Sequence, residues 1–304
     1  PFMICSFIMN NLLRFQGKAS FAMVGITVGG LLNIALDPLF IFTLDMGTAG
    51  AALATGLSQF ISFCILLWMC NHQDSCISIS IRKFRPKLAI YREVLYGGIP
   101  SLGRQGIASV ATILMNFMCQ PYGDAAIAAM SIVSRFMFFI NSVIIGFGQG
   151  FQPVCSYCFG AGLYDRVKKA CWFCIRVSTI ILLVLSVISF PAARSIITLF
   201  RRNDPTVIEI GTLALRLQLI TLPLQGAVIM GNMMPQSIGY GFRATLVSTA
   251  RQGIFLIPLL TIMAYTIGLL GIQCAQPLAD IATFILSLFV IRGIFKEFPE
   301  DASS

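Results

Sequence analysis

The sequence predicts an all-α polytopic membrane protein of two parallel six-helix lobes, with about eight and a half of twelve helices present in the chain. Hydrophobic residues make up 57% of the 304 residues, and charged residues only 11%. The mean hydropathy of +0.86 lies far above that of soluble globular domains. Apolar runs long enough to cross a bilayer alternate with short polar or Gly/Pro breaks, as expected of a helical bundle in lipid.

The apolar runs predict the helices in chain order. A half-segment at 1–13 precedes predicted spans near 18–43, 48–70, 91–120, 125–160, 167–199, 206–235, 241–266 and 271–294. The long polar stretch 71–90 is interpreted as a cytoplasmic linker between two lobes. The predicted domains are therefore 1–70, the end of helix four with helices five and six of an N-terminal lobe; 91–296, a complete C-terminal six-helix lobe; and 297–304, a cytoplasmic tail.

Most of the Lys and Arg residues fall on one side of the predicted membrane, the side of the linker. The other side holds only Arg194, Arg201 and Arg202. Because positively charged loops stay on the cytoplasmic side, the linker and the C-terminus are predicted to be cytoplasmic. The net charge of +9 is then mostly a signal of topology, and we expect no nucleic-acid partner.

An internal repeat supports the prediction of two lobes. Six helices per copy, an even number, make the two copies parallel. The same offset leads us to expect three and a half further helices ahead of residue 1. The matching positions are Pro1, Asn10 and Gly17 with Pro223, Asn232 and Gly239, and the turn Met46-Gly47-Thr48-Ala49-Gly50 with Ile267-Gly268-Leu269-Leu270-Gly271.

The second predicted span carries an unusual polar group near its far end. Asn33 and Asp37 lie one turn apart on one helix face. Pro38 has no N–H, so it leaves the carbonyl of Ile34 without its helical partner beside these side chains. Oxygen groups of this kind suit a small hard cation or a proton. The alternatives are that Asp37 caps the helix or pairs with a basic side chain.

Thr55 lies at a similar predicted depth on the returning helix. Both Asp37 and Thr55 fall roughly 10 Å below the outer surface at 1.5 Å per residue, so they could face each other. The Thr55 hydroxyl could equally bond its own backbone, as Thr often does in membrane helices. The repeat places Ile254, Pro258 and Gln276 at the equivalent positions, so the proposed cation-binding set occurs in the first half only.

Three stretches resemble the multidrug and toxic compound extrusion (MATE) family in its bacterial and archaeal branch. They are Asn10-Asn11-Leu12-Leu13-Arg14-Phe15-Gln16-Gly17, Asn33-Ile34-Ala35-Leu36-Asp37-Pro38 and Gly47-Thr48-Ala49-Gly50-Ala51-Ala52-Leu53-Ala54-Thr55. The stretch from Gly146 to Ala161 is similar to the second lobe of that family.

The resemblance implies a twelve-helix antiporter of the bacterial plasma membrane that expels organic, often cationic, compounds in exchange for Na⁺ or H⁺. It also implies that Asn33, Asp37 and Thr55 hold the cation, together with an Asp of a first helix that we expect ahead of residue 1. We expect a monomer in the lipid bilayer, with small organic substrates and no cofactor besides the coupling ion. The two lobes would enclose a central cavity.

The second half contains arginines about ten residues inside their segments, which are costly in lipid unless they face water or a partner. They could snorkel to the interface from tilted helices, or they could line a polar cavity that accepts anionic groups. The predicted substrate cavity comprises Arg104, Gln105, Asn116, Arg135, Asn141, Gln149, Arg251 and Asp280.

Enzymatic and metal functions find little support in the sequence. Its one histidine, His72, lies in the linker. Two CxxC doublets, Cys155 with Cys158 and Cys171 with Cys174, resemble a zinc pattern, but they end one hydrophobic helix and begin the next, whereas structural zinc sites favour tight turns. We expect the cysteines to pack as small apolar residues in reduced form.

Two other functions remain open at this stage. A lipid-linked saccharide flippase of the same superfamily would share the fold and accept arginines in its cavity, but it has no evident need for the cation-binding set. A membrane receptor or assembly scaffold would have no need for the repeat and the buried charges.

Overall fold

The computed structural model describes residues 1–72, 87–202 and 204–298. Within these ranges the chain forms helices and connecting turns without a strand, which confirms the all-α prediction. Seven helical segments in the described part are long and apolar enough to cross a membrane by length and composition. Residues 73–86 of the predicted linker and 299–304 of the predicted tail lie outside the described residues.

The helices follow the predicted order, and their ends lie within about three residues of the predicted ones when the π-helical continuation of α2 to Thr43 is included, close to the uncertainty of boundary prediction. They are α1 (Phe2–Phe15), α2 (Ala19–Pro38), α3 (Gly47–His72), α4 (Leu88–Cys119), α5 (Asp124–Gly160), α6 (Tyr164–Phe200), α7 (Pro205–Thr221), α8 (Gln225–Ser237), α9 (Gly241–Thr249), α10 (Leu256–Ile267) and α11 (Leu269–Glu297). Helices α7 and α8 form one candidate span, as do α9 and α10.

The chain divides into two compact units, Pro1–Lys87 and Leu88–Ser304. The first unit packs α1, α2 and α3 around a small core that includes Leu13 and Leu66. The second unit packs α4 to α11 around a larger core that includes Leu182 and Met230. Each unit therefore has an apolar interior of its own, as a domain requires.

The repeat seen in the sequence is also present in the contacts. Asn10 Nδ2 donates to the Ala22 carbonyl at 2.7 Å, and Asn232 Nδ2 donates to the Ala244 carbonyl at 2.5 Å. Both bonds tie the helix that carries the Asn to the start of the next helix, with the same spacing of 12 residues. The turn that follows each Asn contains a glycine at positive φ, Gly17 at 78° and Gly239 at 90°.

Helices α2 and α3 approach closely through small residues. Ser62 Oγ donates to the Gly25 carbonyl at 2.8 Å across the helix pair. A Cβ atom at Gly29 would lie 2.8 Å from Ser62 Cβ, so a larger residue there would force the helices apart. This contact sets the register in which the far ends of the two helices face each other.

The end of α2 changes its hydrogen-bonding pattern at Pro38. The segment Leu39–Thr43 continues the helix as a π-helix, with Leu44 N bonded to the Leu39 carbonyl at 3.1 Å. Because proline cannot donate the usual bond, a local change of pitch is expected beside it. The change follows directly after Asp37, the residue singled out by the sequence.

Candidate functional site

The first unit brings Asn33, Asp37 and Thr55 together. Asn33 Nδ2 lies 3.3 Å from Asp37 Oδ1 and 3.5 Å from Thr55 Oγ1. Thr55 also donates to the Ala51 carbonyl at 2.9 Å, so it bonds its own backbone and faces Asn33 at the same time. In the part of the chain that the structure describes, Asp37 forms no ion pair with a Lys or Arg.

The sequence places this group on the closely packed face of α2. Gly25, Gly29, Asn33 and Asp37 follow one another at intervals of four residues, so they form one stripe along the helix. The glycines allow α3 to approach, and the approach brings Thr55 opposite Asn33. Helix packing and the polar group therefore depend on the same stripe.

A cavity of about 260 Å³ opens beside these residues. Its polar lining consists of Ser6, Asn33, Thr55, Ser58, Gln59 and Ser62. Its remaining lining comes from apolar residues and glycines of α1 and α2. The cavity is large enough for a small hydrated ion or a compact organic group, and Asn33 joins it to the carboxylate of Asp37.

The second unit contains a buried ion pair. Arg251 Nε donates to Asp280 Oδ1 at 2.8 Å, and Asp280 is only 1% exposed. Gln225 Nε2 donates to Asp280 Oδ2 at 2.9 Å, and Gln276 Nε2 lies 3.3 Å from Oδ1. Three donors thus surround one carboxylate, as a buried charge requires.

The internal repeat relates this ion pair to the cavity of the first unit. Gly30, Thr55 and Gln59 of the first unit correspond, 221 residues on, to Arg251, Gln276 and Asp280. Met3 corresponds to Gln225 at an offset of 222. All four first-unit residues line the cavity. At the positions that match this cavity lining, the second unit therefore carries the Arg251–Asp280 ion pair and the glutamines around it.

The other residues of the predicted substrate cavity are dispersed. Gln105, Asn116 and Arg135 are exposed, whereas Asn141 and Gln149 are half-buried. Within the described residues, Arg251 and Asp280 are the two members of the set joined by a side-chain hydrogen bond or ion pair. The side chain of Arg104 lies outside the described residues.

Sequence reasoning missed several residues of both sites. Ser58, Gln59 and Ser62 line the first-unit cavity, and Gln225 completes the shell of Asp280. The repeat offset relates Thr55 to Gln276, as noted from the sequence, and the same offset applied back from Asp280 would have found Gln59. Gln225 gave no signal because its partner lies 55 residues away.

The cysteine doublets lie in and beside the core of the second unit. Cys155, Cys171 and Cys174 are buried among apolar side chains, and Cys158 packs at the edge of the same cluster. Among the described residues, no group of three or more His, Cys, Asp or Glu side chains could hold a metal ion.

Comparison with known proteins gives a consistent picture. The MatE family model matches residues 100–276. The multidrug export protein MepA of Staphylococcus haemolyticus is 28% identical over 304 residues, which cover 100% of this chain and 67% of that protein. MepA of Staphylococcus aureus strain N315 is 28% identical and is matched over 66% of its length. The chain thus spans about two thirds of the relatives it matches.

Solved structures show the same fold. A MATE transporter in complex with MaL6 superposes with a TM-score of 0.89 at 25% identity, covering 98% of this chain and 67% of that one. A MOP superfamily transporter from Pyrococcus furiosus, described as having a binding pocket of reverse polarity, gives 0.88 at 25% identity, over 97% and 67%.

Proposed function

Because the chain belongs to the MatE family, we propose that it serves as a secondary active multidrug efflux transporter, which exchanges Na⁺ or H⁺ for organic, often cationic, compounds by alternating access. It is a transporter rather than an enzyme. The observation that carries this proposal is the group of Asn33, Asp37 and Thr55 at the cavity of the first unit.

Asp37 is the charged member of the proposed cation-binding site. A carboxylate at membrane depth is costly unless a proton, an ion or a donor compensates its charge. The amide of Asn33 supplies one such donor in the structure. On arrival of a cation, rotation of this amide would turn its oxygen toward the ion, so that Asn33 changes from a donor to a ligand.

A comparison with the second unit supports our proposal that the coupling cation binds in the first unit. Its buried carboxylate, Asp280, is already neutralised by Arg251, a cation that belongs to the chain itself. Asp37 has no basic partner among the described residues. In the first unit a mobile cation is therefore needed to compensate the charge of Asp37. In the second unit the Arg251 side chain does this for Asp280.

The proposed orientation follows the charge distribution. The linker and the C-terminus face the cytoplasm, in agreement with the positive-inside rule, and the protein works as a monomer in the plasma membrane. Cation binding from outside neutralises Asp37 and changes the packing of the first-unit helices. Cation and substrate then compete, which drives export of the substrate.

The test is efflux of a fluorescent cationic dye from vesicles that contain the protein, under an imposed Na⁺ or H⁺ gradient. Asp37→Asn should abolish gradient-driven efflux while leaving the helical content unchanged. Asp45→Asn is the matched control, because it removes the same charge in the same unit from an exposed turn at φ 50°, a conformation that Asn also accepts.

The outcomes separate the alternatives. Efflux that is lost in the Asp37 variant and kept in the Asp45 variant would support the proposal and identify the driving ion. Efflux that survives Asp37→Asn would remove Asp37 from the mechanism. Absence of efflux under either gradient would favour the lipid-linked saccharide flippase.

A further inference from the structure

Arginines line two adjacent cavities on the surface of the second unit, where α6 ends and α7 begins. The larger cavity, of about 610 Å³, contains Arg194 and Arg216 with Glu209 and Thr212. The smaller one, of about 330 Å³, contains Arg194 and Arg202. Arg194 lines both cavities, and we call the adjacent pair the α6–α7 groove.

The arginines of this groove have no acidic partner among the described residues. In the described part of the chain, none of its three arginines forms a salt bridge, and Glu209 forms none either. Arg216 rests its guanidinium 5.5 Å from the centre of the Phe190 ring, which leaves its N–H groups available. Three positive groups against one carboxylate give the groove a net positive charge.

The depth of the groove matches the lipid headgroup layer. Helix α6 has 37 residues and is about 55 Å long, whereas the hydrocarbon core is about 30 Å thick. An upright α6 centred in the bilayer would extend roughly 12 Å beyond the hydrocarbon at each end. Arg194 lies about 9 Å from the end of α6, within this layer, and Arg216 lies about 17 Å from the start of α7, just inside the hydrocarbon.

The surroundings of the groove are apolar and exposed. Leu199 is 73% exposed and Ile220 is 64% exposed, and Leu213, which lines the groove itself, is 41% exposed. By the same count Leu213 and Ile220 lie at or inside the hydrocarbon boundary and face acyl chains, whereas Leu199 lies at the end of α6 beside the aqueous edge of the groove. The groove therefore opens toward lipid with guanidinium groups at its centre, in a part of the chain that otherwise carries few positive charges.

We propose that the α6–α7 groove binds the headgroup of an anionic phospholipid of the phosphatidylglycerol type. Arg194 and Arg216 donate to the phosphodiester oxygens, for which the guanidinium fork is well suited. Glu209 accepts from the glycerol hydroxyls, and Arg202 adds charge at the aqueous edge. Leu213, at the inner edge of this layer, and Ile220, deeper along α7, contact the acyl chains. The site is independent of the cation-binding group in the first unit.

The test measures lipid binding to the purified full chain by native mass spectrometry during a titration with phosphatidylglycerol. An arginine near an anionic lipid surface contributes about 1 kcal/mol, so Arg194→Gln with Arg216→Gln should weaken binding about thirtyfold. The matched control is Arg201→Gln, an exposed neighbour that lines neither cavity, and it should leave the affinity unchanged. Replacing both arginines by Lys, which keeps the charge but not the fork, should give an affinity between those of the Gln pair and the wild-type chain.

Three results would overturn the proposal. The first is equal affinity of the Gln pair and the wild-type chain, in preparations with the same helical content by circular dichroism. The second is equally tight binding of phosphatidylcholine, which would mean that the headgroup is not recognised. The third is displacement of the lipid by an equal concentration of free glycerol phosphate, which would indicate a site for soluble anions.

Discussion

Arg251 donates from Nε to Oδ1 of the buried Asp280 at 2.8 Å, at positions that match Gly30 and Gln59 of the first unit. The two halves of the repeat thus carry different groups at matching positions. The matching positions line a cavity in the first half and carry an ion pair in the second half. This difference is one basis for our proposal that the coupling site lies in the first unit.

Removal of Arg251 should destabilise the second unit. Arg251→Ala leaves Asp280 buried without its charge partner, and the loss of one member of a buried pair costs about 3–5 kcal/mol. Thermal unfolding in detergent measures the loss, and millimolar guanidinium ion should recover part of it by entering the space. Arg176→Ala is the control, since Arg176 is exposed and forms no ion pair in the described residues. Equal losses in both variants would contradict this account of Arg251.

Asn10 and Asn232 should contribute equally to the stability of the protein. Each ties its helix to the next through a carbonyl acceptor, and that acceptor would lose its donor. We expect Asn10→Ala and Asn232→Ala to lower the free energy of unfolding by similar amounts, about 1–3 kcal/mol each. Denaturant titration of the two variants checks this prediction. Asn11→Ala, at an exposed position of α1, should have little effect. A large loss of stability in only one of the Asn10 and Asn232 variants would contradict the prediction that the two hydrogen bonds are equivalent.

The close contact of α2 and α3 should be sensitive to one methyl group. Gly29→Ala places a Cβ atom 2.8 Å from Ser62 Cβ, which the helices can accommodate only by moving apart. Overpacking of this kind costs about 1–3 kcal/mol. Gly56→Ala on α3 meets no atom within 4 Å and should be neutral or stabilising. Thermal unfolding of the pair measures the difference, and equal stabilities would contradict the packing argument.

Much of this architecture could be predicted from the sequence because its signals are local. Helix ends follow the apolar runs, and the stripe that carries Asn33 and Asp37 follows from a spacing of four residues. Thr55 could be placed by depth alone. In two antiparallel helices joined by a short turn, residues that are equally far from the turn lie at the same depth.

Other features depend on side-chain contacts across the fold. The sequence shows Arg251 and Asp280 as costly charges, but their pairing depends on the register between the π-helix Ala250–Phe255 and α11. Gln225 reaches Asp280 from a third helix. The π-helix after Pro38 was not predicted either, because a proline can be accommodated by a kink, a break or a wider turn.

The central claim is that a cation and an organic substrate compete through Asp37. The most direct measurement is the affinity of the purified protein for a fluorescent cationic dye, taken at increasing Na⁺ concentration and, separately, at decreasing pH. The account predicts that one of these cations weakens dye binding to the wild-type protein and to Asp45→Asn, and has no effect on Asp37→Asn. The same cation dependence in Asp37→Asn as in the wild-type protein would contradict it.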